Sequence, residues 1–335
     1  MRVPSAILLL SLSAGGAAAQ QAERFTLAGS DVAIYNLAGS VTVEPGPALT
    51  VQLTRGGAAA ARLTVEQDEI DGRETLRVRY PGDRVVYAGL ERGSSTELRV
   101  REDGTFGDGD THHDDDDDGH HRHRHGDDRG GRRVRITGSG EGLQAHADLR
   151  IQVPAGREVA IYLAVGKVAV ANVDGRLHID AHSAPVTATG TRGELRVDVG
   201  SGSVNVTGGE GELAIDTGSG TVEVSGFRGT QLVVDTGSGE VTASEVQARE
   251  LMIETGSGDI RVSAVAAPMV TLETGSGGVT ADLRTEIAAL TVETGSGNIA
   301  VTAPGSLGAE LEIETASGDI ETDFPLQVTR HSRDH

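Results

Sequence analysis

The stretch that decides the fold is residues 232–243, LVVDTGSGEVTA, which residues 251–262 repeat as LMIETGSGDIRV. This corner, or a variant of it, recurs nine times at a spacing that grows from 18 to 21 residues. Apolar side chains stand five and three residues before each corner and four and six residues after it, which indicates strands with one buried face. Each repeat should therefore contain a strand, a tight corner, a second strand and a looser connection. The corners begin at Ala164, His182, Gly200, Gly218, Gly237, Gly256, Gly275, Gly295 and Ala316.

This periodicity predicts an all-β fold, a parallel β-solenoid of about nine or more coils of 18–21 residues. One coil cannot bury its own apolar face, but coils stacked about 4.8 Å apart by main-chain hydrogen bonds form a continuous aliphatic core. The residues that lengthen the later repeats all fall in the second connection, as expected if strands and corners stack in register. A meander of hairpins has the same periodicity, and counting alone leaves it open.

We expect the Gly-Ser-Gly corners of successive coils to stack on one another and form a structural ladder. Glycine relieves the steric cost where a corner needs positive φ, and serine can bond neighbouring main-chain groups. The threonine before each later corner, from Thr217 to Thr315, is expected to cap the turn rather than to act as a nucleophile. The corner ladder consists of Gly218, Ser219, Gly220, Gly237, Ser238, Gly239, Gly256, Ser257, Gly258, Gly275, Ser276 and Gly277.

These motifs resemble the bacterial putative-adhesin family of β-strand repeats, a family of unknown function. The resemblance rests on the Thr-Gly-Ser-Gly corners followed by alternating valines, on residues 149–154 (LRIQVP) and on residues 39–43 (GSVTV). It covers most of the chain after the first segment. It implies an exported or envelope-associated β-solenoid without established catalytic residues, so no site residue is carried over.

Composition divides the chain into five segments. Residues 1–19 carry one arginine and a short apolar run and end in three consecutive alanines, the features of a secretory signal peptide. Residues 20–105 contain further alternating strands and are expected to begin or cap the solenoid. Residues 106–131 are a His/Asp-rich insertion with little to bury, predicted to be disordered. Residues 132–330 hold the repeats, closed by Phe324, Pro325 and Leu326, and residues 331–335 form a tail.

The charge and composition narrow the range of partners. A net charge of −21 argues against nucleic acid and against anionic lipid. Cations, cationic partners or polysaccharide fit better, although an aromatic content of 2% leaves few rings on which sugars could stack. There is no cysteine, which excludes disulfides and a lipid-modified cysteine. No second apolar stretch could cross a membrane, so we expect periplasm or cell surface; the envelope partner, and any side or end association, stay open.

The His/Asp tract is a candidate metal ligand set. Imidazole and carboxylate suit divalent metals, so the tract could bind Zn²⁺, Ni²⁺ or Cu²⁺ weakly, while a solvated linker is the simpler interpretation. No cofactor is otherwise required. Protonation of the histidines near pH ~6.5 would also change its charge. The candidate ligands are His112, His113, Asp114, Asp116, His120, His121, His123 and His125.

An acidic residue stands two positions before each corner from the second onward. Stacking should align these carboxylates on the outside of adjacent coils, as a solvated acidic face or, less simply, as Ca²⁺ sites. His178, Asp180 and His182 alternate along one strand and form a weaker chelation hypothesis. The acidic positions are Asp180, Asp198, Asp216, Asp235, Glu254, Glu273, Glu293 and Glu314.

Catalysis is poorly supported. Identical serines in every corner favour structure, because an active site needs one distinct constellation. We therefore expect a non-enzymatic, exported β-solenoid that acts through its surface as an adhesin-like or envelope scaffold protein. The alternative is a periplasmic metal-binding protein using the tract, and the third reading is a polysaccharide-active β-helix enzyme, for which acidic pairs such as Glu254 and Asp259 are available.

Overall fold

The computed structural model describes residues 22–107, 131–285, 287–304, 310–317 and 320–322. These ranges contain 27 β-strands and one three-residue 3₁₀ turn, Ala60–Arg62. The first strands are β1 (Glu23–Thr26), β2 (Asp31–Pro45), β3 (Thr50–Gly56), β4 (Thr64–Ile70), β5 (Arg73–Arg79), β6 (Arg84–Val86), β7 (Ser95–Val100), β8 (Arg132–Thr137), β9 (Leu143–Gln144), β10 (His146–Val153) and β11 (Arg157–Ala171).

The repeats then alternate a long and a short strand. The long strands are β12 (Asp174–Ser183), β14 (Arg192–Ser201), β16 (Glu210–Ser219), β18 (Arg228–Ser238), β20 (Glu250–Ser257), β22 (Met269–Thr274), β24 (Ala289–Thr294) and β26 (Glu310–Thr315). The short strands are β13 (Val186–Thr189), β15 (Val204–Thr207), β17 (Val222–Ser225), β19 (Val241–Ser244), β21 (Ile260–Val265), β23 (Val279–Leu283), β25 (Ile299–Thr302) and β27 (Ile320–Thr322).

Each long strand pairs parallel with the next long strand, and each short strand with the next short strand. The parallel β-solenoid is thereby confirmed, and the hairpin meander is wrong because hairpins would pair antiparallel. The coil count differs slightly from the nine or more expected: the described residues form about eight turns. The corner at Ala164 does not divide two strands, since β11 runs through it and pairs with both β12 and β13.

The N-terminal region both begins the stack and covers its first coil. Strand β2 pairs parallel with β11, and on its other side it pairs with β5 and β10. Antiparallel β4 covers the edge of β5, antiparallel β3 lies on β10, and β1 lies on β3. We call this layer the cap. The sequence analysis assigns residues 132–330 to the repeats, whereas β8 and β9 belong to a separate sheet and β10 pairs parallel with β2.

Four strands of the same region form a separate small sheet. Its order is β7-β8-β6-β9, with β7 antiparallel to β8 and the other pairs parallel. The last described residue before the His/Asp tract is Gly107 and the first after it is Gly131, so the tract connects β7 to β8. The tract residues and residues 323–335, including Phe324, Pro325 and Leu326, lie outside the described residues.

The core is the aliphatic column that the alternation predicts. Leucine, isoleucine and valine from successive coils stack on one another, and the middle coils contribute side chains such as Leu232, Val234, Leu251 and Ile253 that are 0% exposed. Burial of this continuous column stabilises the stack by roughly 25 cal/mol for each Å² of apolar surface removed from water. No coil could bury this surface alone, so each coil depends on its neighbours.

The glycines of a corner have two different reasons to be glycine. The third corner residue, as in Gly258, has φ +145, and a Cβ there would also overlap the carbonyl oxygen of Gly239 in the coil before. The first, as in Gly256, has no positive φ, but its Cβ would lie 2.6 Å from Gly237 O. Close stacking of backbone on backbone is therefore the constraint that both positions share.

Candidate interaction surface

The long strands present the most regular polar surface of the molecule. Register pairs Asp180 with Asp198, and each acidic residue with its counterpart in the next coil, up to Glu293 with Glu314. Neighbouring strands lie about 4.8 Å apart, so this column is a row of carboxylates at that repeat. We call the eight residues Asp180, Asp198, Asp216, Asp235, Glu254, Glu273, Glu293 and Glu314 the carboxylate ladder.

The carboxylates of the ladder repel one another. Partial burial, and then the charges of Glu254 and Glu293, raise the pKa of Glu273 above its ordinary value. Partial burial and Asp235 likewise raise the pKa of Asp216, and Arg196 works in the opposite direction. A positively charged partner bound to the ladder would therefore reduce the repulsion between its carboxylates.

A neutral column runs beside the ladder. Ala214, Val233, Met252 and Thr271 stand in register there, two residues before the ladder positions, and all are half-buried. Met269, two residues before Thr271 at the start of β22, is 40% exposed. The sequence analysis missed this column, although its signal is present as small or apolar residues four positions before the corners. The face therefore combines a line of negative charge with a narrow apolar strip.

The ladder begins at a cleft beside the small sheet. Arg99, Arg101 and Phe106 line the cleft of about 270 Å³ from one side, and Asp180, His182 and Asp198 line it from the solenoid. Arginines from β7 and the segment after it thus face the first two rungs of the ladder. This cleft is the place where the repetitive surface meets a non-repetitive one.

A ring stack underlies the same cleft. Tyr35 and Tyr162 stack at a centroid distance of 4.2 Å, Phe106 meets Tyr35 edge-on at 5.6 Å, and His178 stacks on Tyr162 at 6.0 Å. Burial is the main cause that raises the pKa of the Tyr35 hydroxyl far above its ordinary value. The stack joins β2, β11 and β12 and gives the first coils an aromatic spine that the repeats lack.

The described residues contain no group of three histidine, cysteine or acidic side chains arranged to hold a metal ion. The chelation hypothesis for His178, Asp180 and His182 therefore fails: His178 packs against a ring, and His182 lies in the cleft. The ladder carboxylates do not form such a group either. The tract ligands, His112 to His125 with Asp114 and Asp116, lie outside the described residues and stay a prediction.

The threonines before the corners from Thr255 onward cap the turns, whereas the Thr217 and Thr236 hydroxyls are buried without a hydrogen-bond partner. Thr274 Oγ1 donates to Gly258 O at 3.0 Å and Thr294 Oγ1 to Gly277 O at 2.9 Å, each reaching the coil before. Both side chains are buried, which removes them from any reaction with a dissolved substrate. In an early corner, Ser201 Oγ donates to Ser183 Oγ at 3.2 Å, again between coils. These hydroxyl groups support the stacking of one coil on the next.

The fold and its acidic face define the class: a parallel β-solenoid built from short repeats that presents one repetitive charged surface. The family model described as Toastrack DUF4097 matches residues 158–335, more than half of the chain. The chain belongs to this family, whose function is unknown.

Two solved structures are similar to this one. A putative adhesin from Parabacteroides distasonis ATCC 8503 has 11% identity and a TM-score of 0.44, and the match covers 90% of this chain and 96% of that one. A putative adhesin from Parabacteroides merdae ATCC 43184 has 12% identity and a TM-score of 0.27, with the same coverage of 90% and 96%. No curated protein matches the chain.

Proposed function

We propose that this protein is an exported, non-enzymatic scaffold that acts through its surface in an adhesin-like manner in the cell envelope. The observation that carries the proposal is the carboxylate ladder, which continues in register through eight coils. A repetitive surface suits many similar contacts with an extended partner. An enzyme would need one distinct group of residues instead.

The chemistry of the ladder face selects a positively charged partner. Aligned carboxylates attract cations, and the neutral column of Ala214, Val233 and Met252 offers a narrow apolar contact beside them. An extended segment with alternating basic and apolar side chains matches both features, because a strand presents every second residue on one side. Such a partner is a surface protein or peptide rather than nucleic acid.

Export is the part of the proposal that rests on sequence. Residues 1–19 have the charged start, apolar run and small-residue site of a secretory signal, and they lie outside the described residues. The 3₁₀ turn, the one helical segment within the described ranges, is far too short to span a bilayer. We place the protein in the periplasm or on the cell surface.

A binding assay tests the role of the ladder. The purified chain is incubated at physiological salt with envelope fragments of the bacterium that encodes it, and the bound fraction is measured by sedimentation. Asp216→Asn with Asp235→Asn should reduce the bound fraction severalfold. Asp174→Asn with Glu223→Gln removes the same charge away from the ladder and should leave binding unchanged. Equal binding by both variants would overturn the proposal.

The His/Asp tract supports a second candidate, a metal-binding protein of the periplasm. The tract holds six of the eleven histidines of the chain. Calorimetric titration with Zn²⁺, Ni²⁺ and Ca²⁺ compares the intact chain with one lacking residues 107–131. Stoichiometric binding with a Kd on the order of micromolar that disappears with the tract would favour metal handling. Binding in neither chain would remove that candidate.

A polysaccharide-active enzyme is the third candidate. Glycan-array screening combined with an assay for released reducing ends tests it, since a hydrolase or lyase must generate new chain ends. We expect no released ends at any substrate concentration. Release that depends on Glu254 or Asp259 would replace the scaffold proposal with an enzymatic one.

A further inference from the structure

The exposed side of the small sheet carries a cluster of arginines. Register places Arg84 of β6 beside Arg135 of β8, and Arg133 of β8 beside Arg99 of β7, so all four share one face. All four side chains are exposed, while the residues that alternate with them pack into the core. The one acidic residue on this face is Glu97, which pairs with Arg133 at 3.3 Å. Arg99 lines the cleft beside Asp180 and Asp198, so we call the other three, Arg84, Arg133 and Arg135, the arginine face.

The arginine face is opposite in sign to the molecule as a whole, whose net charge is −21. It contributes little to folding, because the Arg133 side chain is 74% exposed and surface ion pairs such as the one with Glu97 add little to stability. Guanidinium groups form paired hydrogen bonds with carboxylates, and an arginine cluster on a flat sheet suits a surface that presents several of them.

We propose that the arginine face docks on the carboxylate ladder of a second copy of this chain. The two surfaces are opposite in sign, and each is fixed in place by a β-sheet: Arg84 pairs with Arg135 across adjacent strands, and the ladder carboxylates pair across successive coils. Every copy of this chain presents the carboxylates that the arginine face requires, which favours a second copy over an acidic polymer.

Arginine side chains and ladder carboxylates already face each other within one molecule. Arg99 and Arg101 line the cleft together with Asp180 and Asp198, the first two rungs of the ladder. The rungs from Asp216 onward lie beyond this cleft. They are the part of the ladder that an arginine face from another copy would meet.

Net repulsion between two acidic copies does not prevent this contact. At about 0.1 M salt the Debye length is about 10 Å, so the charges at the contact outweigh those farther away. Partial burial and then repulsion between neighbouring carboxylates raise the pKa of Asp216 and Glu273, and guanidinium groups placed against the ladder would offset the repulsion. Because the two surfaces differ, the contact is head-to-side and leaves one of each free, so copies can continue to add.

Sedimentation velocity of the purified chain tests this proposal. A concentration series is run at about 100 mM and about 500 mM NaCl, which differ in Debye length. The wild type should associate with a Kd on the order of micromolar at the lower salt and return to monomer at the higher. Arg133→Ser with Arg135→Ser, and separately Asp216→Asn with Asp235→Asn, should each weaken association at least about tenfold. Mixed together, the two variants should form a complex that stops at two copies, because each supplies the surface that the other lacks.

If general charge repulsion alone controlled association, the ladder variant would associate more strongly than the wild type instead of more weakly. Asp216→Asn with Asp235→Asn makes the chain less negative, so without a specific contact it would associate more strongly. Asp174→Asn with Glu223→Gln changes the net charge equally and should associate like the wild type. A wild type that stays monomeric at both salts would overturn the proposal, as would a ladder variant that associates normally. If the monomer instead binds a polygalacturonate resin through the arginine face, the occupant is an acidic polysaccharide and the self-association proposal is wrong.

This outcome is separable from that of the proposed function. The arginine variant should bind envelope fragments like the wild type, because it keeps the whole ladder. Loss of self-association with intact envelope binding is therefore the expected pair of results for Arg133→Ser with Arg135→Ser.

Discussion

At the scale of single residues, the corner glycines control how closely coils approach. Gly258 combines a positive φ with a backbone atom directly beneath the position of a Cβ, whereas Gly208, in the looser connection, has φ +67 and nothing within 4 Å of that position. A substitution at Gly208 therefore adds only the strain of a left-handed backbone, whereas one at Gly258 also adds overlap with the neighbouring coil. Stacking adds a constraint that no isolated turn would impose.

We expect Gly258→Ala to lower the free energy of unfolding by about 3 kcal/mol, because it adds both backbone strain and overlap with Gly239. Gly208→Ala should cost only about 1 kcal/mol, the penalty for a non-glycine residue in the left-handed region. Urea unfolding followed by circular dichroism measures both. Equal losses would show that conformation alone, and not the spacing of coils, requires glycine in the corners.

Ionisation of a ladder carboxylate lowers the stability of the folded chain, whereas ionisation of a carboxylate paired with an arginine raises it. The pKa of Glu273 is raised in the folded chain, so its ionisation opposes folding. The stability associated with this group is fully present below its ordinary pKa of 4.5 and is lost as the pH rises through the raised pKa of the folded chain. Arg150 instead lowers the pKa of Glu44, whose contribution is lost as the pH falls.

Glu273→Gln should therefore raise the free energy of unfolding by about 0.5 kcal/mol at neutral pH, the size of one unfavourable cross-strand charge pair. The gain should vanish near pH ~3, where the carboxyl group is protonated in both states. Glu44→Gln should destabilise the protein at neutral pH, because it breaks the pair with Arg150 at 2.8 Å. Thermal unfolding of the three proteins at both pH values checks the signs. A loss of stability in Glu273→Gln would contradict the repulsion argument.

At the scale of elements, the corners keep their register while some strands do not. The register between β16 and β18 shifts by one residue at Gly211, where Thr230 is the addition, and the register between β21 and β23 shifts after Val262, where β21 has the extra residue. Thr230 lies in the stretch where the sequence places the lengthening of the repeats, but the structure includes it in β18, so the expectation that strands keep a constant length is wrong. One connection also carries a large side chain: Phe227 is 1% exposed, and a Cβ at Gly209 would lie 3.2 Å from its ring.

Phe227→Ala should cost about 4 kcal/mol, because the cavity lies between coils that cannot close without breaking register. Val246 occupies the equivalent connection one coil later and is also fully buried. Val246→Ala should cost less than half as much, since it removes far fewer atoms. Urea unfolding measures both variants. A small effect of Phe227→Ala would mean that the ring only fills the space that Gly209 leaves and is not needed to hold the connection.

The repeats could be predicted from sequence and the cap could not. Strand and corner recur with a period, so the ladder and the core column follow from counting. The pairing of β5 and β10 beside β2 has no such signal, because alternating residues look the same whichever strand they meet. The buried Asn36, whose Oδ1 lies 2.8 Å from the Tyr80 hydroxyl, depends on that pairing. The arginine face was missed for the same reason: Arg84, Arg133 and Arg135 come together only when β6 and β8 pair.

At the scale of the whole molecule, the first coil of the described stack is covered by the cap. Strands β3, β4, β5 and β10 cover the first coil, and the acidic edge strand β4 lies against the buried Arg77, which pairs with Asp68 at 2.6 Å. Charged edge strands oppose strand addition. Each later coil is held chiefly by the coils directly before and after it, so stability is the sum of local stacking terms.

A core substitution should therefore loosen the stack locally rather than everywhere. Ile253 is fully buried in β20, and Ile253→Ala should cost about 3 kcal/mol. In hydrogen exchange followed by mass spectrometry, protection should fall in β18 to β26 and stay unchanged in β2, β10 and β11, because the cap and the first coils keep all their neighbours. Ile34→Ala, in β2, is the matched control and should lower protection first in β5, β10 and β11. A uniform loss of protection in either variant would show that the solenoid unfolds as one cooperative unit, and nearest-neighbour stacking would then not describe its stability.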